Sequence, residues 1–411
     1  MSEGPQAPRG TFDVLPRQAV ARARVRAATA AVLQRAGYGE IETPIYEDTD
    51  LFARGVGETT DIVEKEMFTF EDQSGRSLTL RPEGTASVCR AYVEHGMHKL
   101  AQPVRLWYWG PYFRYEAPQA GRYRQFNQVG LEAIGSDSPL VDAEAIILLH
   151  ELIAGLGVPG IELKLGSLAS PQTRSAYREE LAAYLQENEA DLAPEVRSRI
   201  DANPLRAFDS KDDGTRRVMA AAPKLLDRLE GEDAEHFAEV RTLLDAAGVE
   251  YELDPSLVRG LDYYTRTVFA FTAANLGAQS EVGGGGRYDG LVEQLGGPAA
   301  AGVGWAAGIE RILLALGDEG EEPRRDVFVA AAGDGQRHRA LALAGELRRA
   351  GLSAEVDLAG RSLKGQMKQA DRIGARHAVI LEEDGGAQLK EMESGEQRDI
   401  DPAAVLADLT D

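Results

Sequence analysis

One cysteine, Cys89, stands in 411 residues. No internal disulfide and no cysteine-based zinc site can therefore form, and a reducing compartment suits the chain. No apolar run approaches the ~20 residues that cross a bilayer, and the N-terminal MSEGPQAPRGTFDVLP lacks a signal-peptide core. A soluble, cytoplasmic protein with no membrane partner is expected. Positive charge is also scarce: 45 Lys and Arg face 67 Asp and Glu, for a net charge of -22. That excludes nonspecific coating of nucleic acid or anionic membrane, though not specific contact through a local basic patch. There is no GxxxxGK[ST] phosphate loop, and the glycines of GVGWAAG (302–308) have the wrong spacing for a dinucleotide fingerprint. His95 and His98 sit three apart with no further ligand at zinc spacing, so no metal site is assigned.

What is present is a globular composition, 43% hydrophobic and 27% charged, at a length that suits two or three domains. Residues 19–36 are alanine-rich, carry regularly spaced arginines and end at Gly37, which predicts a helix. MFTFED and SLTLRP predict a hairpin, and residues 84–95 a helix capped by Thr85. Between Trp107 and Phe126 lie eight of the 27 aromatics, among Arg114, Arg122 and Arg124. This stretch reads as strand, loop, strand over residues 104–135. Alternation along a strand puts Gln128, Gly130 and Glu132 on one face and Val129, Leu131 and Ala133 on the other. Apolar periodicity predicts a helical insertion over about 172–247. After an apolar-poor linker at 317–325, β and α segments alternate to the end.

Several clusters could carry chemistry. Arg114, Glu116, Gln128 and Glu132 are costly to bury without a polar ligand, or else form the wet side of a sheet. RPEGTA (81–86) offers Arg81, Glu83 and Thr85, or simply a helix-entry turn. The glycines of EVGGGGRYDGL (281–291) allow close backbone approach to a ligand, or form a mobile loop. Arg259 stands near Asp262, and Arg311 beside Glu310, each pair open to a binding role or a surface ion pair. Arg361, Lys364, Lys368, Arg372 and Arg376 recur at helical spacing, as a nucleic-acid contact or a solvated face.

Taken in order, these stretches resemble the histidyl-tRNA synthetase family, within the class II aminoacyl-tRNA synthetases. PRGTFDVLP (8–16) with GYGEIETPIYE (37–47) resembles its first motif, FRYEAPQAGRYRQFNQVGLEAIG (113–135) its second, and GVGWAAGIERILLAL (302–316) its third. LVRGLDYYTRTVFAF (257–271) and RPEGTA resemble its histidine-specific segments. The resemblance implies an α+β fold: an antiparallel-sheet catalytic domain over 1–320 with the helical insertion, then an α/β anticodon-binding domain over 326–411. It implies a homodimer that activates L-histidine with ATP, Mg²⁺ accompanying the nucleotide, and transfers it to the histidine tRNA.

By the same resemblance Arg114 and Arg259 are catalytic. Arg114, Glu116, Phe126 and Arg311 bind ATP. Glu83, Thr85, Gln128, Glu132, Arg259, Tyr263 and Tyr264 bind histidine, and Arg122, Arg361, Lys364, Lys368 and Arg372 contact tRNA. Ala117, Asn127 and Ala270 depart from the residues the family commonly carries: arginine, histidine and glutamate. Two rival readings share the fold: a histidine-sensing regulatory subunit of ATP phosphoribosyltransferase, and a catalytically dead RNA-binding sensor. The terminal domain speaks against the first, and retention of all three arginines at 114, 259 and 311 against the second.

Overall fold

The computed structural model describes residues 4–57, 60–201, 203–258, 261–317, 320–321 and 324–410. They form two compact units divided between Gly320 and Glu321.

The first unit is built on an eight-stranded sheet. Its strands are β1 (Gly39–Glu40), β2 (Val104–Phe113), β3 (Gln125–Ile134), β4 (Ile161–Ser167), β5 (Glu252–Leu253), β6 (Thr265–Ala273), β7 (Glu281–Arg287) and β8 (Gly302–Gly308). Their spatial order is β1-β2-β3-β8-β7-β6-β4-β5, and every pair is antiparallel except the two short edge pairs. The helices that matter to it are α1 (Pro16–Arg35), α2 (Thr85–Glu94), α3 (Pro139–Gly155), α4 (Pro171–Glu187), α5 (Gly231–Ala246) and α6 (Ile309–Leu316).

The two faces of the sheet differ because the sequence alternates. Val129, Leu131, Phe269, Phe271 and Trp305 point to one side, where Ile146, Leu149 and Ile153 of α3 cover them. α3 is apolar almost all round, as a helix buried within a core should be. It starts cleanly: the Ser138 hydroxyl accepts the Leu140 N–H at 3.3 Å, and Pro139 occupies the first turn, where its missing donor costs nothing. The opposite face, carrying Gln128, Gly130 and Glu132, is left to form a cleft.

A buried polar hub fastens these layers. The Asp142 carboxylate of α3 accepts from Thr267 at 2.6 Å and from the Arg287 guanidinium, and sits 2.7 Å from His236 Nε2 of α5. Arg287 is wholly buried; burial works against its charge, but Asp142 more than offsets this and holds its pKa above the ordinary value.

The expected helical lobe divides in two. Tyr177, Leu181 and Leu185 of α4 pack with Leu192, Met219 and Leu225 in a core of their own. α5 instead places Phe237, Val240 and Leu244 in the core of the sheet. The separately packed part is thus narrower than 172–247. EVGGGGR is likewise not a loop: it is the buried central strand β7, where a Cβ on Gly286 would come within 2.5 Å of the Thr267 carbonyl.

The second unit carries a five-stranded sheet: β9 (Val327–Ala331), β10 (Ala354–Val356), β11 (His377–Leu381), β12 (Ala387–Glu391) and β13 (Gln397–Ile400), in the order β10-β9-β11-β12-β13. β9 pairs in parallel with β10 and β11, as the β–α alternation predicts. α7 (Arg337–Arg349) and α8 (Leu363–Arg372) pack on this sheet. Buried Gln366 of α8 prolongs β9, giving to the Ala331 carbonyl at 3.0 Å and accepting its N–H at 2.9 Å.

Candidate active site

The cleft on the open face of the first unit has a volume of about 650 Å³. Its floor follows from register. Tyr108 lies opposite Gly130, Gly130 opposite Ala306, Ala306 opposite Gly284, Gly284 opposite Ala270, and Ala270 opposite Lys164. The four middle residues are Gly or Ala, so the sheet presents a shallow trough between a tyrosine and a lysine.

At the tyrosine end the groups are dry. Glu83 is buried, and its two carboxylate oxygens accept the N–H groups of Thr85 (2.7 Å) and Ala86 (2.9 Å). Glu83 therefore caps α2 in place of Thr85, which is the first residue of the helix. An acid at a helix N-terminus satisfies orphan donors and meets the positive end of the dipole. Burial nonetheless pushes the Glu83 pKa up, with the two N–H groups and Arg114 pulling the other way.

The Thr85 hydroxyl, released from capping, donates to Glu132 Oε1 at 2.8 Å, and the Tyr108 hydroxyl donates to the same oxygen at 3.1 Å. Glu132 is fully buried. It is not among the residues that line the cleft and sits one hydrogen bond behind Thr85 and Tyr108, which do. Burial pushes its pKa up to about 8; the Tyr288 and Thr85 hydroxyls oppose that and Glu83 adds to it. The Oε1 of Gln128 is buried without a hydrogen-bond partner among the described residues, a costly state that invites a donor. Tyr263 and Tyr264 line the same end, and the Tyr263 hydroxyl reaches Glu83 at 3.4 Å.

At the other end the groups are cationic. Arg114 donates to the Pro82 carbonyl at 2.9 Å and lies 5.5 Å from the centre of the Phe126 ring. Arg311, at the start of α6, donates to the carbonyls of Gly121 (3.0 Å) and Glu281 (2.9 Å). Burial lowers its pKa, and the neighbouring charges of Arg122 and Arg114 lower it further. Arg114, Arg122 and Arg311 thus share one field. Glu116 is held in an ion pair with Arg122 through Oε2. Glu310 turns away from Arg311: it pairs with Arg22 of α1 at 2.8 Å and receives the Asn127 side chain at 3.0 Å.

Of the sequence-derived residues, Glu83, Thr85, Arg114, Glu116, Arg122, Phe126, Gln128, Tyr263, Tyr264 and Arg311 line this cleft. Arg259 lies outside the described residues, and Leu257, Val258 and Leu261 on either side of it line the cavity. Arg81 does not line it: buried, it donates to the carbonyls of Thr43 (2.8 Å) and Pro111 (2.9 Å) and stacks 4.6 Å from the Tyr112 ring centre. In the second unit Lys364, Lys368 and Arg372 are exposed on α8, opposite buried Gln366 and Ala370. Arg361 precedes the helix and is paired with Asp357 at 2.7 Å, so it is not part of that helical stripe. Sequence reasoning missed Tyr108, Tyr288 and Lys164. Tyrosines in an aromatic strand and one lysine in IELKLGS give no local signal.

Residues 10–312 match the family model described as histidyl-tRNA synthetase, and residues 326–411 that described as anticodon binding domain. A histidine–tRNA ligase of Thermosynechococcus vestitus is 48% identical over 96% of this chain and 94% of its own. That of Saccharopolyspora erythraea is 48% identical over 96% and 95%. The apo histidyl-tRNA synthetase of S. aureus superposes with a TM-score of 0.83 at 37% identity, covering 99% of this chain and 100% of that one. A protein of Bacillus halodurans titled an ATP phosphoribosyltransferase regulatory subunit/histidyl-tRNA synthetase shares the fold, with a TM-score of 0.67 at 23% identity over 91% and 97%. By extent of match and level of identity alike, the chain belongs to the histidyl-tRNA synthetase family.

Proposed function

We propose that the cleft joins L-histidine to ATP and then passes histidine to the 3′ end of the histidine tRNA. A carboxylate oxygen of histidine attacks the α-phosphorus, the bond to the bridging oxygen breaks and pyrophosphate leaves. A terminal ribose hydroxyl then attacks the acyl carbon and AMP departs. The observation that carries this reading is the sharing of one cavity by Glu83 and Gln128 with Arg114 and Arg311: acceptors for an ammonium group at one end, fixed guanidinium groups for phosphate at the other.

Attacker and target are both anionic, so the first step needs cations already in place. Arg114 holds the α-phosphate, Arg311 the γ-phosphate, and Arg259 bridges carboxylate and α-phosphate. Arginine suits this because it stays charged despite partial burial and offers a planar fork of donors. Phe126 stacks on adenine, and Glu116, with Oε1 left over from its pair with Arg122, accepts from the base. Mg²⁺ arrives with ATP as part of that substrate.

Gln128 Oε1 and Glu83 take the histidine ammonium, and Thr85 is held toward it by Glu132. Tyr264 lines the imidazole end with Tyr263 closing it, and Glu132 orients that end through the Thr85 and Tyr108 hydroxyls that it holds. A buried acceptor that must receive an N–H, as Gln128 Oε1 must, rejects analogues lacking that donor, because it is otherwise left unpaired.

Lys364, Lys368 and Arg372 contact tRNA phosphates, with Arg122 toward the acceptor end. Reversing the charge of Lys364 and Lys368 should raise the tRNA KM and leave pyrophosphate exchange untouched. The chain works as a homodimer in the cytoplasm; half-exposed Tyr46 and Phe70 on the small sheet of residues 46–80, with Ile45 next to it in the chain, are surface for a second copy. Among the described residues no helix is long and apolar enough to cross a membrane. The deciding assay is histidine-dependent exchange of labelled pyrophosphate into ATP. Exchange is expected, and its absence in folded protein would return the chain to a regulatory reading.

A further inference from the structure

Lys164 is the one residue of the trough that neither the sequence motifs nor the roles above account for. Leu163 and Leu165 on either side of it are buried in the core of the sheet, so alternation along β4 sends Lys164 to the cleft face, where it lines the cavity. Its antiparallel neighbour is Ala270, and next in the row come Gly284 and Ala306. No side chain larger than a methyl group stands along that row between Lys164 and Gly130, the residue beneath Tyr108.

Two of the carboxylates lining the cleft are otherwise engaged. Glu116 is paired with Arg122 and Glu310 with Arg22. Glu252, beside Lys164 in the parallel register, is exposed on the edge strand. Lys164 itself takes part in no hydrogen bond or ion pair among the described residues. Strands lie about 4.8 Å apart, so Lys164 is roughly 14 Å from Ala306 at the backbone, and its stem rises from the floor at its own end of the trough. A compact ammonium group on a flexible stem, half-buried and facing a cavity of cations, is a point-charge ligand for phosphate.

We propose that Lys164 binds a phosphate group of a substrate, at the far end of the trough from Tyr108. This rests on the reading of the cleft as a nucleotide and tRNA-acceptor site. The phosphate comes either from the ATP polyphosphate or from the terminal phosphodiester of tRNA, and the two sources separate by experiment.

The full-length chain is compared with Lys164→Ala and Lys164→Arg, with thermal melts to establish folding. Three readouts are used: equilibrium binding of ATP alone, the ATP KM in histidine-dependent pyrophosphate exchange, and the tRNA KM in aminoacylation. A charge-assisted hydrogen bond of this kind is worth about tenfold or more. Lys164→Ala should therefore weaken ATP binding and raise its KM by about tenfold if ATP is the source. If tRNA is the source, the tRNA KM should rise alone. Lys164→Arg should recover most of either loss, which a purely structural role for the lysine stem would not require. Unchanged ATP binding together with unchanged KM values for both substrates overturns the proposal. Should wild-type protein show no exchange, the activity assigned to the cleft fails, while the ATP-binding comparison still reports on Lys164.

Discussion

The two ends of the cleft solve opposite electrostatic problems with opposite degrees of burial. At the end proposed for histidine, Glu83, Thr85, Tyr108, Glu132 and Tyr263 are all buried and bonded to one another. At the end proposed for the nucleotide, Arg114, Arg122, Phe126 and Arg311 are half-buried, and the arginines rest on backbone carbonyls or on one carboxylate. Burial is useful where a small ligand must be told from its analogues, since every unmatched donor or acceptor then costs its full desolvation. It is harmful where charge must be delivered. A buried carboxylate keeps its proton, whereas a guanidinium resists losing one and tolerates a partly dry site.

The largest break in this comparison is expected at the nucleotide end. Arg114→Ala removes a donor aimed at developing charge, and losses of about 10²–10³ in kcat are typical for such groups. Pyrophosphate exchange should fall by that factor while the affinity for histidine, measured calorimetrically without ATP, stays within about twofold. A parallel loss of histidine binding would show that the two ends are not separable.

Gly130→Ala strikes the other end. The ring of Tyr108 lies so close over Gly130 that an added Cβ would overlap it, and a Cβ on Gly84 would come within 2.5 Å of the same ring. Tyr108 must shift, and its hydroxyl must leave Glu132. The histidine KM should rise by about 10²-fold, as displacement by an ångström is known to cost, with ATP binding unchanged. An unchanged histidine KM would show that Tyr108 merely fills space.

Much of this architecture was legible, and the failures have physical causes. Parity on β3 alone separated Gln128 and Glu132 from Val129 and Leu131, because a strand has a strict period of two. The four glycines of β7 misled, since glycine weakens strand propensity; a Cβ would meet Ala307 at Gly283, the Gly304 backbone at Gly285 and the Thr267 carbonyl at Gly286. Thr85 read as a cap because its residue type favours one. The actual cap, Glu83, lies two residues earlier and acts through a geometry that only the fold reveals. The hub of Asp142, His236, Thr267 and Arg287 spans 145 positions from Asp142 to Arg287, and no local pattern joins residues so far apart. Arg105, among the aromatics, reaches the carbonyl of Ala36 instead of the cleft.

Glu132 sharpens the comparison by pH. Its carboxyl is pushed from an ordinary 4.5 up to about 8 by burial. The folded chain therefore keeps a proton that the unfolded chain loses, and stability falls as pH rises between those two values. Glu132→Gln should flatten that part of the melting profile. The same variant should remove a gain in histidine affinity of about tenfold between pH 7 and 9, where the carboxyl ionises and becomes the stronger acceptor. That window lies above the titration of free imidazole. The ligand's α-amino group titrates there too, so wild type and Glu132→Gln are compared at each pH, and parallel affinity profiles would separate Glu132 from the ligand.

The smallest effect is expected from the pair that mixes both signs. Glu116 and Arg122 neutralise one another at the nucleotide end, with the arginine about one-third exposed. An ion pair so wet is worth about 0.2–1 kcal/mol, a factor of at most about five. Glu116→Gln keeps an oxygen for the adenine amine and frees Arg122 for phosphate. The ATP KM should fall by about twofold at low salt, and the gain should vanish as salt screens the released charge. A rise of more than about fivefold would show that the paired carboxylate itself is an essential contact of the base, and that the nucleotide end, like the histidine end, depends on a fixed acid.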